Sequence, residues 1–187
     1  MAPAAGLTPL ATAAEVDRIV ADVASRISGA HPGGVILVGV LKGSVLFLAD
    51  LLRSVSVPVT VDFLAVAPYA PGSGRARLVK DLDTDVGGRA VVVVVDIVDT
   101  GLTVAWLRAE LTRRRPASLE FAALLDKPAR RLVPVPVEYV GLEVPDTFVL
   151  GYGLDFAGRY RNLHGLWGAD ALALAAEPDR HLLDLYG

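Results

Sequence analysis

Residues 91–103 read VVVVVDIVDTGLT. Five successive valines with no polar alternation form a strand buried on both faces, the usual state of a central parallel strand. The run is too short to cross a bilayer. Residues 104–111 are good helix formers, so Asp99, Thr100, Gly101, Leu102 and Thr103 make the turn between strand and helix. Gly101 lets the backbone approach a ligand closely. Thr100 and Thr103 offer hydroxyls, and the helix behind them offers unpaired N–H groups at its positive end. Together these are the physical ingredients of a phosphate cradle. Asp96 and Asp99 stand beside it, carboxylates suited to a sugar, a metal or a proton. An ordinary Asp-Thr-Gly turn at a strand end has the same letters, so the motif alone does not choose between the two readings.

Moving outward, residues 35–40 (VILVGV) form a second buried strand that breaks at Leu41, Lys42, Gly43 and Ser44, before a helix over 45–53. Upstream, Val16, Ile19, Val20, Val23 and Ile27 recur at helical spacing with charged residues between them. They predict an amphipathic helix ending near Gly29, with residues 1–12 as a loose arm. Residues 57–66 are a strand with Pro58 near its start. Residues 67–77 (APYAPGSGRAR) carry two prolines and two glycines and read as a long loop. Such a loop in a compact domain is often a lid; a surface hairpin is the plainer alternative. Residues 78–85 are the returning strand. Beyond the central motif come a helix over 104–115, a strand over 119–125 that ends at Asp126, Lys127 and Pro128, and short strands over 137–140 and 148–151. The tail holds a helical pattern around 169–176, broken at Pro178.

Alternating strands and helices over 35–125 predict an α/β fold with a mostly parallel sheet covered on both faces. Ligands of such sheets bind at the carboxyl ends of strands. Residues 41–44, 99–103 and 126–128 all fall there, and that convergence outweighs any one motif.

Composition narrows the field. The 187 residues carry a formal charge of −3, are 53% apolar and contain no cysteine. Disulfides and thiolate metal sites are therefore excluded. The one basic run, Arg113 to Arg115, reads as a solvated helix end, and nothing in the balance points to nucleic acid. The N-terminal MAPAAGLTPLATAAEV lacks a basic segment followed by a continuous apolar core, so no signal peptide is expected. No stretch is long and apolar enough for a membrane span, and a cytoplasmic location is the default expectation. Of 18 Lys plus Arg, only Lys42, Lys80 and Lys127 are lysine. Two of these fall in candidate site loops, where a compact ammonium does what arginine's planar fork does not; chance survival is the alternative.

VGVLKGS, LVKDLD, VDIVDTGLTV, LLDKPARR, YVGLEVPDTFVLGYGLD and RYRNL occur in that order between about residues 13 and 163. As a set they resemble the type I phosphoribosyltransferases, and among these the hypoxanthine-guanine phosphoribosyltransferases. The resemblance implies a single domain over 1–187. Its core would span about 13–140, and the C-terminal part, about 141–187, would build a small hood with the N-terminal arm. It implies transfer of ribose 5-phosphate from phosphoribosyl pyrophosphate to a purine nitrogen, with release of pyrophosphate and with magnesium as cofactor. Asp99 would be the general base near the purine N7. Asp99, Thr100, Gly101, Leu102 and Thr103 would hold the 5-phosphate, and Asp96 the ribose hydroxyls. Leu41, Lys42 and Gly43, with a cis peptide between Leu41 and Lys42, would bind pyrophosphate together with Arg161. Pro68 and Tyr69 would lie in the lid. Lys127 would contact the exocyclic oxygen of a 6-oxopurine, rejecting a 6-amino group that sets donor against donor. Phe148 would stack on the base and Val149 touch its edge. Asp155 and Asp96 would serve the metal. A homodimer or homotetramer is implied.

Three departures stand out. Val95 replaces the first residue of the family's usual Glu-Asp pair, which predicts weaker binding of phosphoribosyl pyrophosphate and its recovery in Val95→Glu. Pro68 replaces a serine in the lid. The tail after Leu163 is longer than the family pattern. These leave open two alternatives to salvage of hypoxanthine and guanine: transfer to a non-standard base such as a deazapurine, or a non-catalytic regulator that binds phosphoribosyl pyrophosphate.

Overall fold

The valines of the central strand divide between two cores. In the computed structural model, which describes residues 6–67, 77–181 and 185–186, Val91 to Val95 are all buried. The pleat turns them alternately: Val92 and Val94 join one hydrophobic cluster, Val91, Val93 and Val95 the other. A strand covered on both faces needs no polar alternation, which is why its sequence shows none.

The elements that provide this cover follow in chain order. They are β1 (Leu7–Ala11), α1 (Ala13–Ala30), β2 (Val35–Leu41), α2 (Val45–Ser54), β3 (Val59–Ala67), β4 (Arg77–Lys80), β5 (Ala90–Val98), α3 (Leu102–Thr112), β6 (Ser118–Asp126), a 3-10 turn (Pro128–Arg130), β7 (Tyr139–Glu143), β8 (Phe148–Leu150), β9 (Leu166–Ala169) and α4 (Ala171–Ala176). The main sheet has the order β4-β3-β2-β5-β6-β7. All its pairings are parallel except β3 with β4. Val16, Val20, Phe47 and Leu51 from α1 and α2 pack on one face, and Val104, Leu107 and Leu111 from α3 on the other. The α/β fold read from the alternation is the one observed.

A second, antiparallel sheet has the order β1-β9-β8. It encloses a small core of Leu7, Leu150, Tyr160, Leu163, Ala169 and Leu174. Part of the N-terminal arm is thus a strand, paired with residues 166–169. The main sheet extends through β7 to Glu143, a few residues past the boundary expected near 140. β4 is shorter than the returning strand expected over 78–85. The chain leaves the ladder because the amides of Asp83 and Thr84 donate instead to the buried carboxylate of Asp62, at 2.9 and 2.7 Å. α3 stops at Thr112, so the basic run lies beyond the helix. Arg114 is not merely solvated but pairs with Asp81 at 2.7 Å. Pro68 and Tyr69, assigned to the lid, lie outside the described residues. Among the described residues no helix is long and apolar enough to cross a membrane.

Candidate active site

Three turns lie at the carboxyl edge of the main sheet; those after β5 and β6 line a cleft of about 670 Å³ roofed by the small sheet, and the turn after β2 abuts it through Gly43 against Asp96. Each is shaped by its own local chemistry.

The turn after β5 depends on Gly101, which caps α3 with a left-handed backbone (φ 84°). A Cβ there would lie 2.5 Å from the Val133 carbonyl, so only glycine fits. The amides of Leu132 and Val133 both donate to the Thr100 carbonyl, at 3.0 and 3.1 Å, and brace the turn from outside. Gly101 offers no capping side chain, and among the first amides of α3 that of Leu102 meets the Thr100 hydroxyl at 3.4 Å. The start of α3 carries the partial positive charge that suits a phosphate.

The turn after β2 contains a cis peptide between Leu41 and Lys42. The Ser44 hydroxyl closes it on the Val40 carbonyl at 2.7 Å, and Lys42 is exposed. A side chain at Gly43 would overlap the Asp96 carboxylate, and one at Gly153 (φ 99°) would overlap the Gly43 carbonyl. Three backbone segments thus meet at van der Waals distance around Asp96. Burial pushes the Asp96 carboxyl above its ordinary range, against the Ile97 amide that donates to it at 2.8 Å and the nearby Arg161.

The turn after β6 carries Lys127, which is buried and donates from Nζ to the Thr147 carbonyl. Burial pulls its pKa below the ordinary lysine value; Asp99 and Asp146 oppose that shift and Arg130 adds to it. Phe148 and Val149 follow on β8 and line the cleft. Phe148 meets Phe156 edge-on, with ring centroids 5.6 Å apart. Asp155, on the far wall, pairs with Arg161 at 2.7 Å and accepts from the Gly158 amide at 2.8 Å.

Asp96, Asp99, Lys127, Phe148, Val149 and Asp155 all line this one cleft. Leu41, Lys42, Gly43, Thr100, Gly101, Leu102, Thr103 and Arg161 are not part of its lining, although Gly43 abuts Asp96 and Arg161 is turned onto Asp155. For a metal, the described residues include no cluster of three or more His, Cys, Asp or Glu side chains. Of the five aspartates that line the cleft, Asp99 and Asp146 are engaged by Arg130 and Asp170 caps α4, which leaves Asp96 and Asp155 as the hard oxygen donors for a cation. That fits magnesium, which takes few protein ligands and completes its shell with phosphate and water.

The expectation for Val95 changes. The strand's pleat sends Asp96 to the cleft and Val95 to the opposite face, 4% exposed among the residues that pack against α3. A glutamate there would bury its carboxylate in a hydrophobic core rather than offer it to a ribose, so recovery of binding in Val95→Glu is no longer expected.

The cleft is also lined by Arg130, Asp146, Thr147, Asp170 and Ala171, none of which the sequence reading singled out. Arg130 and Asp146 sit inside the quoted segments LLDKPARR and YVGLEVPDTFVLGYGLD, one turn from Lys127 and two residues before Phe148. Their signal was proximity to those residues. Asp170 and Ala171 follow β9, a four-residue strand containing glycine that no period-2 pattern announces.

A phosphoribosyl transferase domain model matches residues 10–157. Hypoxanthine phosphoribosyltransferase of Haemophilus influenzae is 49% identical over 131 residues, covering 68% of this chain and 73% of that one. Hypoxanthine-guanine phosphoribosyltransferase of Mycobacterium bovis is 42% identical over 164 residues, covering 82% and 81%. The crystal structure of a hypoxanthine-guanine phosphoribosyltransferase from Bacillus anthracis superposes with a TM-score of 0.83 at 37% identity, covering 87% of this chain and 98% of that one.

Proposed function

The chain belongs to the hypoxanthine(-guanine) phosphoribosyltransferase family, and on that premise we propose that it transfers the 5-phosphoribosyl group of phosphoribosyl pyrophosphate to a 6-oxopurine. The products are inosine or guanosine monophosphate and pyrophosphate, and the role is purine salvage. The observation that carries this reading is the convergence of Asp99, Lys127 and Phe148 on one cleft beside the turn that opens α3.

In this mechanism the 5-phosphate lies on the amides and hydroxyls of Thr100 to Thr103, held by hydrogen bonds and the helix dipole. Asp96 takes the ribose hydroxyls. Phe148 stacks on the purine, and Lys127 donates to its 6-oxygen. Asp99 accepts the proton that N7 or N9 sheds as the base attacks C1 of the ribose, or holds the positive charge that builds there. Backbone amides around Gly43, with Lys42 and Arg161, receive the leaving pyrophosphate. Asp96 and Asp155 would hold magnesium, which supplies neutralisation of the pyrophosphate charge. Arg161, paired with Asp155 at 2.7 Å, turns from that carboxylate to the pyrophosphate when the substrate enters. The active form is a homodimer or homotetramer, which sedimentation tests.

Turnover with a panel of bases tests the reading. Purified protein, phosphoribosyl pyrophosphate and magnesium should convert hypoxanthine and guanine to their nucleotides and leave adenine behind by roughly 10³-fold or more, because a 6-amino group opposes the Lys127 donor. Equal use of adenine, or no nucleotide from either 6-oxopurine, would contradict it.

A further inference from the structure

We infer that Arg130 is a positioning residue of the base subsite: it clamps Asp99 and Asp146 so that the Lys127 ammonium stays available to the purine oxygen. The inference rests on the reaction proposed above and extends it to a residue outside the set implied by the family resemblance.

The geometry is a bridge. Arg130 donates from Nε to Asp99 Oδ1 at 2.6 Å and from Nη1 to Asp146 Oδ1 at 3.2 Å. One guanidinium thereby ties the turn after β5 to the loop before β8, across the mouth of the cleft that both carboxylates line. The neighbouring Arg131 holds the same turn by its backbone, donating to the Asp99 carbonyl at 3.0 Å, and pairs with Asp126. Lys127 sits three residues before Arg130, with Nζ on the carbonyl of Thr147, next to Asp146. Both carboxylates act electrostatically on that ammonium.

The arrangement is a four-charge cluster, two cations between two anions. Without Arg130, Asp99 and Asp146 lose their shared counter-charge, and Lys127 is the cation beside them. A lysine drawn onto a carboxylate is withdrawn from a neutral carbonyl oxygen, since a charge–charge contact outcompetes a charge–dipole one. Arginine suits the bridging task because its nitrogens reach two acceptors in fixed directions at once, where an ammonium is a single point charge. Only one oxygen of Asp99 is engaged by the bridge, which leaves the other to face the base.

The test is steady-state kinetics on both substrates for wild type, Arg130→Met, Arg130→Lys and the double variant Arg130→Met with Asp146→Asn, with circular dichroism to confirm folding. Arg130 is nearly half exposed, and methionine keeps much of its stem. In Arg130→Met the KM for hypoxanthine should rise about tenfold, the size of one charge-assisted hydrogen bond. The kcat should also fall, with the KM for phosphoribosyl pyrophosphate nearly unchanged. Arg130→Lys should recover part of the base KM, and so should removal of the competing Asp146 charge in the double variant. An unchanged base KM, or equal rises in both KM values, would overturn the assignment. If wild type makes no nucleotide at all, the proposed reaction itself falls and this role with it, whereas an active wild type with an indifferent Arg130→Met overturns the role of Arg130 alone.

Discussion

Lys127 combines a buried side chain with a proposed task, donation to the purine 6-oxygen, that needs its proton. Burial holds its pKa below the ordinary lysine value, so the ammonium is lost at lower pH than an exposed lysine would lose it. The alkaline limb of kcat/KM for hypoxanthine should therefore fall below about 10.4, the reference value for lysine, and Lys127→Gln should abolish that limb while raising the base KM. A limb unchanged in the glutamine variant would assign it to another group. Gly43 offers a second prediction at this scale. A methyl group there overlaps the Asp96 carboxylate, and displacement of a reacting group by about 1 Å costs roughly 10²-fold in rate. Gly43→Ala should lose about that much in kcat/KM for phosphoribosyl pyrophosphate while keeping its fold by circular dichroism. Val95 is a case where neighbouring letters mislead: it stands next to Asp96 yet points into the core beneath α3. Val95→Glu should destabilise the protein by about 3 kcal/mol, the scale of an unpaired buried charge, read as a lower midpoint in urea.

At the scale of elements, the signal in the sequence tracked how much of each segment was buried. β5, covered on both faces, was legible as a run of valines, and α1 as a stripe of Val16, Val20, Val23 and Ile27. The start of α1 follows directly on the arm expected over residues 1–12, with Thr12 as its cap. Thr12, Ala13, Ala14 and Glu15 form a capping box in which the Thr12 amide donates to Glu15 at 2.8 Å and the Glu15 amide to the Thr12 hydroxyl at 3.3 Å. Thr12→Ala should cost about 1 kcal/mol in thermal or urea unfolding with kcat unaltered. β1 and β9 were not legible. Each is short, one holds Pro9 and the other Gly168, and their pairing joins residues far apart in the chain. The early end of β4 was hidden for a related reason: just beyond it the amides of Asp83 and Thr84 are claimed by Asp62, a side chain on the neighbouring strand.

Over the whole molecule, parallel strands bring three sequence-distant turns to one edge, and the small antiparallel sheet closes the cleft above them. The turns were predictable because parallel α/β sheets place their ligands there. The residues that link one turn to another, Arg130 and Asp146 above all, were not, because a bridge between loops exists only once the chain has folded. In the proposed reaction this cleft reads a purine nucleotide in one orientation, phosphate at the start of α3 and 6-oxo group at Lys127. A crystal structure of the protein with inosine monophosphate tests it most directly. The phosphate should lie within hydrogen-bonding distance of the amides at Thr100 to Thr103, the ring against Phe148 and the 6-oxygen on Lys127 Nζ. A nucleotide bound elsewhere, or with its base turned away from Lys127, would contradict it.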